Sequence, residues 1–139
     1  MRLTCGWWAG GLILLCAAAP VGAHHSFSSE YDGSNPVELT GVVSKIEWLN
    51  PHARFYVDVK DADGNVTTWN FELASVNSLR RNGWTRNTLE VGDQITAKGF
   101  AAISGEPMAN AGAVILPDGS SLFAATDAPS VQQTPSAGP

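Results

Sequence analysis

Downstream of residue 16 the chain has no cysteine: its two cysteines, Cys5 and Cys16, both lie in the first sixteen residues. Disulfides are therefore excluded for the rest of the chain, and a folded domain there must rely on its own core. Cations are scarce as well, with eight Lys and Arg against thirteen Asp and Glu, a net charge of −5. No basic run occurs. Nucleic-acid binding needs cations to neutralise phosphates, and an anionic membrane surface needs them clustered, so neither partner is expected. No apolar run reaches the roughly 20 residues of a membrane-spanning helix. A Gly-rich phosphate loop, a Ser-His-Asp arrangement and a spaced carboxylate pair are also missing, so no catalytic residue can be nominated and the chain is not expected to be an enzyme.

What the first residues do contain has a recognisable layout. Met1 and Arg2 give a short positive start, and Trp7 to Ala19 (WWAGGLILLCAAA) is apolar and uncharged. Val21-Gly22-Ala23 then supplies small residues at the last and third-last positions before a cut. This predicts a secretory signal peptide over 1–23, removed after Ala23, and a periplasmic or secreted protein. A lipoprotein cut at Cys16 is the weaker reading, because Leu15 precedes it. The mature chain would run from His24 to Pro139, with no cysteine and no membrane span.

Residues 24–36 are predicted as an irregular N-terminal segment, 37–124 as one domain, and 125–139, rich in Pro, Ser, Ala and Gln, as a disordered tail. Within the domain strands dominate. The first spans about Val37 to Trp48, and its apolar phase changes near Gly41, which suggests a bulge that lets one strand serve two sheets. Phe55, Val57 and Val59 alternate with polar neighbours, as do Trp69, Phe71 and Leu73 after the Asp63-Gly64 turn. A short helix should begin at the Ser75 cap and stop at Gly83. Two more strands follow, near 94–100 and 112–116, and Leu122-Phe123 can add a short closing one. Three strands, a helix, then two strands predict an all-β fold with one short helix, a small five-stranded OB-like Greek-key barrel. A split-sheet sandwich is the competing arrangement.

The chain holds three histidines: His24, His25 and His52. If the cut falls after Ala23, His24 carries a free α-amine, and that amine with the ring Nδ1 can chelate one metal ion. An imidazole from His25 or His52 would complete a three-nitrogen set. Such a set suits copper(II), with zinc a less favoured occupant. His52 sits in Glu47-Trp48-Leu49-Asn50-Pro51-His52, a turn after the first strand and beside the usual binding face of an OB barrel. The plain alternative is a solvated His-His terminus and a His52 ring bonded to a backbone carbonyl. A second functional reading needs no metal: Trp48, Asn50, Arg54 and Trp84 would hold a small polar ligand or a protein partner. Asp61, Asp63 and Asn65 are better explained as a hairpin turn than as a calcium loop, and Arg80, Arg81 and Arg86 as cations near a helix end.

Three segments together resemble a bacterial secreted family, domain-of-unknown-function family 6152: AHHSFSSEYD (23–32), LTGVVSKIEWLNPHARFYVDVKD (39–61) and WNFELASVNSLRRNGWTRNTLEVGDQITAKGF (69–100). The resemblance implies export and a small β-barrel domain, with no established activity or cofactor. It marks His24, His25, Trp48, Asn50, Pro51, His52, Gly83 and Trp84 as motif positions. Arg54 departs from it, since an aromatic or aliphatic residue is expected there.

Overall fold

A computed structural model describes residues 27–125. The expected signal peptide, His24, His25 and the tail beyond residue 125 lie outside the described residues. The elements are α1 (Phe27–Glu30), β1 (Tyr31–Glu47), β2 (Arg54–Lys60), β3 (Val66–Glu72), α2 (Val76–Arg81), β4 (Gln94–Ala102), β5 (Met108–Ile115) and β6 (Ser121–Phe123). The fold is mostly β-sheet with short helices, as the alternating patterns predict. The strands form one sheet in the order β3-β2-β1-β4-β5-β6, and β3 also pairs in parallel with β5. The other pairings are antiparallel.

Strand β1 begins six residues earlier than the apolar pattern indicates. Tyr31 pairs with Ala102, the ladder breaks, and it resumes from Pro36 opposite Phe100. Asp32 and Ser34 account for the interruption, because the Asp32 carboxylate accepts both the amide and the hydroxyl of Ser34. From Pro36 to Val42 β1 pairs with β4; from Val42 to Glu47 it pairs with β2. The phase change suggested one strand serving two sheets; here it serves two partner strands, β4 and β2, within one sheet. The register shift falls between Val43 and Lys45, not at Gly41. Gly41 has a different task. A Cβ there would lie 2.4 Å from the Asp58 carbonyl oxygen, so only glycine lets β2 approach this closely.

The core lies on one face of the strands. Phe55 and Phe71 are cross-strand partners whose rings stack at 5.2 Å, and both are fully buried with Val43, Leu73, Ile95 and Val114. Helix α2 adds Val76 and Leu79 to this core. Its start is capped by Ser75 Oγ, which accepts the Ser78 amide, and its end passes into Gly83 at φ 88°. The β2–β3 turn is closed by Asp61, whose carboxylate accepts the Asn65 amide at 2.8 Å and the Asn65 side-chain amide at 3.0 Å. Strand β5 starts four residues earlier than predicted because Asn70, Phe71 and Glu72 of β3 offer it parallel partners, a long-range contact without a local sequence signal.

Two predictions follow from these contacts. At Gly99 a Cβ would meet the Asn110 carbonyl oxygen at 2.0 Å, whereas at Gly119, φ 83°, it meets nothing within 4 Å. Gly99→Ala should therefore cost about 3 kcal/mol through overpacking, and Gly119→Ala about 1 kcal/mol through backbone strain alone. Urea unfolding of both variants checks this; equal costs would contradict the close approach. The Asn65 hydrogen bonds hold the Asp61 carboxyl below its usual range. A depressed folded value adds stability above the unfolded pKa, and that stability is lost as pH falls through the folded one. The deficit of Asp61→Asn should be full at pH 7 and shrink below about pH 4, read from melting curves across pH.

Candidate functional site

Along β2 and its approach, Ala53, Phe55 and Val57 enter the core, so His52, Arg54 and Tyr56 fall on the opposite face. On β3 the same alternation puts Asn70 and Glu72 opposite Phe71. Parallel pairing sets Met108 beside Asn70 and Asn110 beside Glu72. This second face should be wet, yet Glu72, Asn110, Phe100, Ala102 and Tyr31 are all buried on it. The cover is the segment Phe27–Tyr31. Phe27 stacks on Tyr31 with ring centroids 5.7 Å apart and meets Phe100 edge-on at the same distance. The Glu30 carbonyl accepts the Ile103 amide at 2.9 Å, which ties α1 to the end of β4.

At the centre is Glu72, with a side chain only 9% exposed. A buried carboxylate needs compensation. Arg54, its cross-strand partner, supplies it: Nη2 donates to Glu72 Oε2 at 2.5 Å. The other carboxylate oxygen, Oε1, lies 3.7 Å from His52 Nδ1. Tyr31 lies close enough for the charges of Glu72 and Arg54 to act on its phenol; burial first, then the Glu72 charge, pushes its pKa well above the ordinary tyrosine range. Its hydroxyl is enclosed and faces the Glu72 carboxylate.

His52 follows the cis Asn50–Pro51 bond. Its Nδ1 is 3.2 Å from the Leu73 carbonyl oxygen. A carbonyl only accepts, so the contact is a hydrogen bond when Nδ1 carries the proton, and in that neutral ring Nε2 is the lone-pair nitrogen. The plain reading of His52, a ring bonded to a backbone carbonyl, describes this contact, but the contact also orients the ring and leaves Nε2 free. The side chain is 40% exposed. Among the described residues no group of three or more His, Cys, Asp or Glu side chains is placed to hold a metal ion. His24 and His25, named with His52 as ligands, fall outside the described residues; His25 is two positions before Phe27.

The remaining nominated residues separate. Arg54 is committed to Glu72. Asn50 is exposed in the turn, and Trp48 is half-buried, with an enclosed indole N–H that has no partner. Trp84 is 2% exposed and its indole donates to the Phe123 carbonyl at 2.8 Å, which pins β6 to the core. Trp48 and Trp84 line one narrow apolar crevice with Ile46, Phe55, Leu73 and Leu89. Sequence reasoning missed Glu72, Tyr31 and Phe27. For Glu72 a signal existed, since the Asp63-Gly64 hairpin register sets it opposite Arg54. For Phe27 and Tyr31 there was none, because their partners Phe100 and Ala102 are about seventy residues away.

The geometry can be set beside known proteins. Residues 12–111 match the model of a family of unknown function, DUF6152. The chain belongs to that family. Its match spans both Phe27 and the Asn-Pro-His turn, so the covered face lies inside the DUF6152 region. No curated protein and no solved structure matches this DUF6152 chain. Among the described residues no helix is long and apolar enough to cross a membrane.

If Phe27 holds the cover in place, Phe27→Ala should cost about 1–2 kcal/mol from its two aromatic pairs. Hydrogen exchange gives the sharper check: the Ile103 amide should exchange faster, while the Phe71 amide keeps its protection. Equal acceleration at both would mean that Phe27 acts on the whole fold and not on the cover.

Proposed function

We propose that this protein is an exported, periplasmic metal-binding protein that takes copper, with zinc the less favoured occupant. The metal would be held by the amine and ring of His24 at a processed N-terminus and by His52 Nε2, with His25 as a further imidazole. One observation carries the reading: the segment from Phe27 to Tyr31 is docked on the face that also bears Glu72 and His52. Each extended residue spans at most about 3.6 Å, so His24 and His25 begin within roughly 7–11 Å of an anchored Phe27. A free, oriented Nε2 at the end of that face is the ligand type copper(II) selects. The chemistry supplied is binding, and the proposal includes no reaction.

The same reading takes the strands as a five-stranded OB-like Greek-key barrel. What supports it is the pairing circuit β1-β2-β3-β5-β4-β1, in which the β3–β5 contact joins the two ends of the five. In such a barrel the turn carrying His52 borders the usual binding face.

A second reading keeps the export and drops the metal. Exposed Asn50, beside half-buried Trp48, would then meet a small ligand or a protein partner in the cell envelope. Calorimetry separates the two. Protein beginning at His24 should bind copper(II) more tightly than the His24→Ala, His52→Ala double variant by well over about tenfold, since even second-shell losses cost 10–100-fold at metal sites. A Met added before His24 should weaken binding because it moves the free amine. Equal affinity in all three proteins would contradict the metal reading.

A further inference from the structure

We propose that Glu72 is a positioning residue for His52, holding the imidazole proton on Nδ1 so that Nε2 stays free for a ligand. What the free nitrogen is for rests on the metal reading above; the positioning itself does not.

Two acceptors flank Nδ1. The Leu73 carbonyl oxygen is at 3.2 Å, within hydrogen-bond range. Glu72 Oε1, at 3.7 Å, is too far for a good hydrogen bond and acts as a charge. The two acceptors come from adjacent residues at the end of β3, so one piece of backbone sets both. The ring's other nitrogen, Nε2, lies up to about 2 Å further from that charge by ring geometry, and a negative charge favours the proton on the nearer nitrogen. Arg54 keeps the carboxylate in place through the other oxygen, Oε2, so the acid cannot swing away to water. It also limits the effect, because a guanidinium beside the carboxylate offsets part of its field.

The geometry argues against a simpler role for Glu72. Oε1 faces Nδ1, which is already committed to Leu73. A metal on Nε2 would sit on the opposite side of the ring, beyond reach of Oε1. Glu72 therefore acts on His52 and not on the ion, in the manner of the outer-shell partners that fix the tautomer of ligating histidines. This also gives the carboxylate a reason to be buried. Arg54 alone would be satisfied by a Glu in solvent, whereas an acid that must keep one oxygen on an imidazole edge gains from being enclosed.

The test is the 15N spectrum of the His52 ring in metal-free protein at a pH where the ring is neutral, which distinguishes Nδ1–H from Nε2–H. In the wild type Nδ1–H should be the major form. In Glu72→Gln the Nδ1–H to Nε2–H ratio should fall roughly two- to fivefold, the lower part of the range Coulomb's law allows at a surface once Arg54 is included. Two results would overturn the proposal: a wild type in which Nε2–H predominates, which needs no variant to fold, or an unchanged ratio in folded Glu72→Gln, which would leave Leu73 as the sole determinant. Copper titration of the same samples separates the two claims. A tautomer shift without copper binding in either protein sustains the positioning role and removes the metal reading.

Discussion

Strand β1 has to serve two ends of one site. Seventeen residues of straight strand would span roughly 56 Å. Yet Tyr31 at its start lies beside Glu72, and the turn that follows Glu47 brings His52 to the same carboxylate. The strand must curl almost back on itself, and its sequence provides for this. It is interrupted after Tyr31, changes partner at Val42, shifts register before Lys45 and carries glycine where β2 crosses closest. The glycine at 99 does the same for β4 against β5. Everything placed on the second face depends on that curl.

The curl explains an arrangement that would otherwise be costly. Buried Glu72 and the enclosed Tyr31 hydroxyl sit outside the main core, where an antiparallel sheet could have faced water. Covering them with Phe27–Tyr31 fixes where that segment goes. Phe27, two positions after His25 in the sequence, packs there through aromatic rings with preferred geometry. The proposed function builds on that point: packing places Phe27, and the Arg54–Glu72 pair orients the imidazole that a processed terminus would meet.

Local signals in the sequence were strong where the fold depends on near neighbours. The β2–β3 hairpin, the Ser75 cap and the Gly83 stop were legible because each follows from a few adjacent residues. The early starts of β1 and β5 were not, since they depend on Ala102 and on the parallel partners in β3, which no local window contains. The site divides in the same way. His52 stood out as one of three histidines, and its turn was marked by Asn-Pro. Glu72 looked like one more polar residue on a solvent face, because alternation shows which face a side chain takes but not what covers that face. Arg54, nominated for a ligand, proved to be the partner of that acid. Trp84, nominated beside it, is held in the core by the Phe123 carbonyl.

The proposed site requires a processed N-terminus to come to His52. Paramagnetic broadening by copper(II) tests it directly, because only nuclei near the bound ion lose their amide signals. With substoichiometric copper added to protein beginning at His24, the account predicts that Phe27, Ser28 and residues 52–53 fade together while Phe123 stays sharp. Broadening confined to the first few residues, with His52 and its neighbours unchanged, would contradict it.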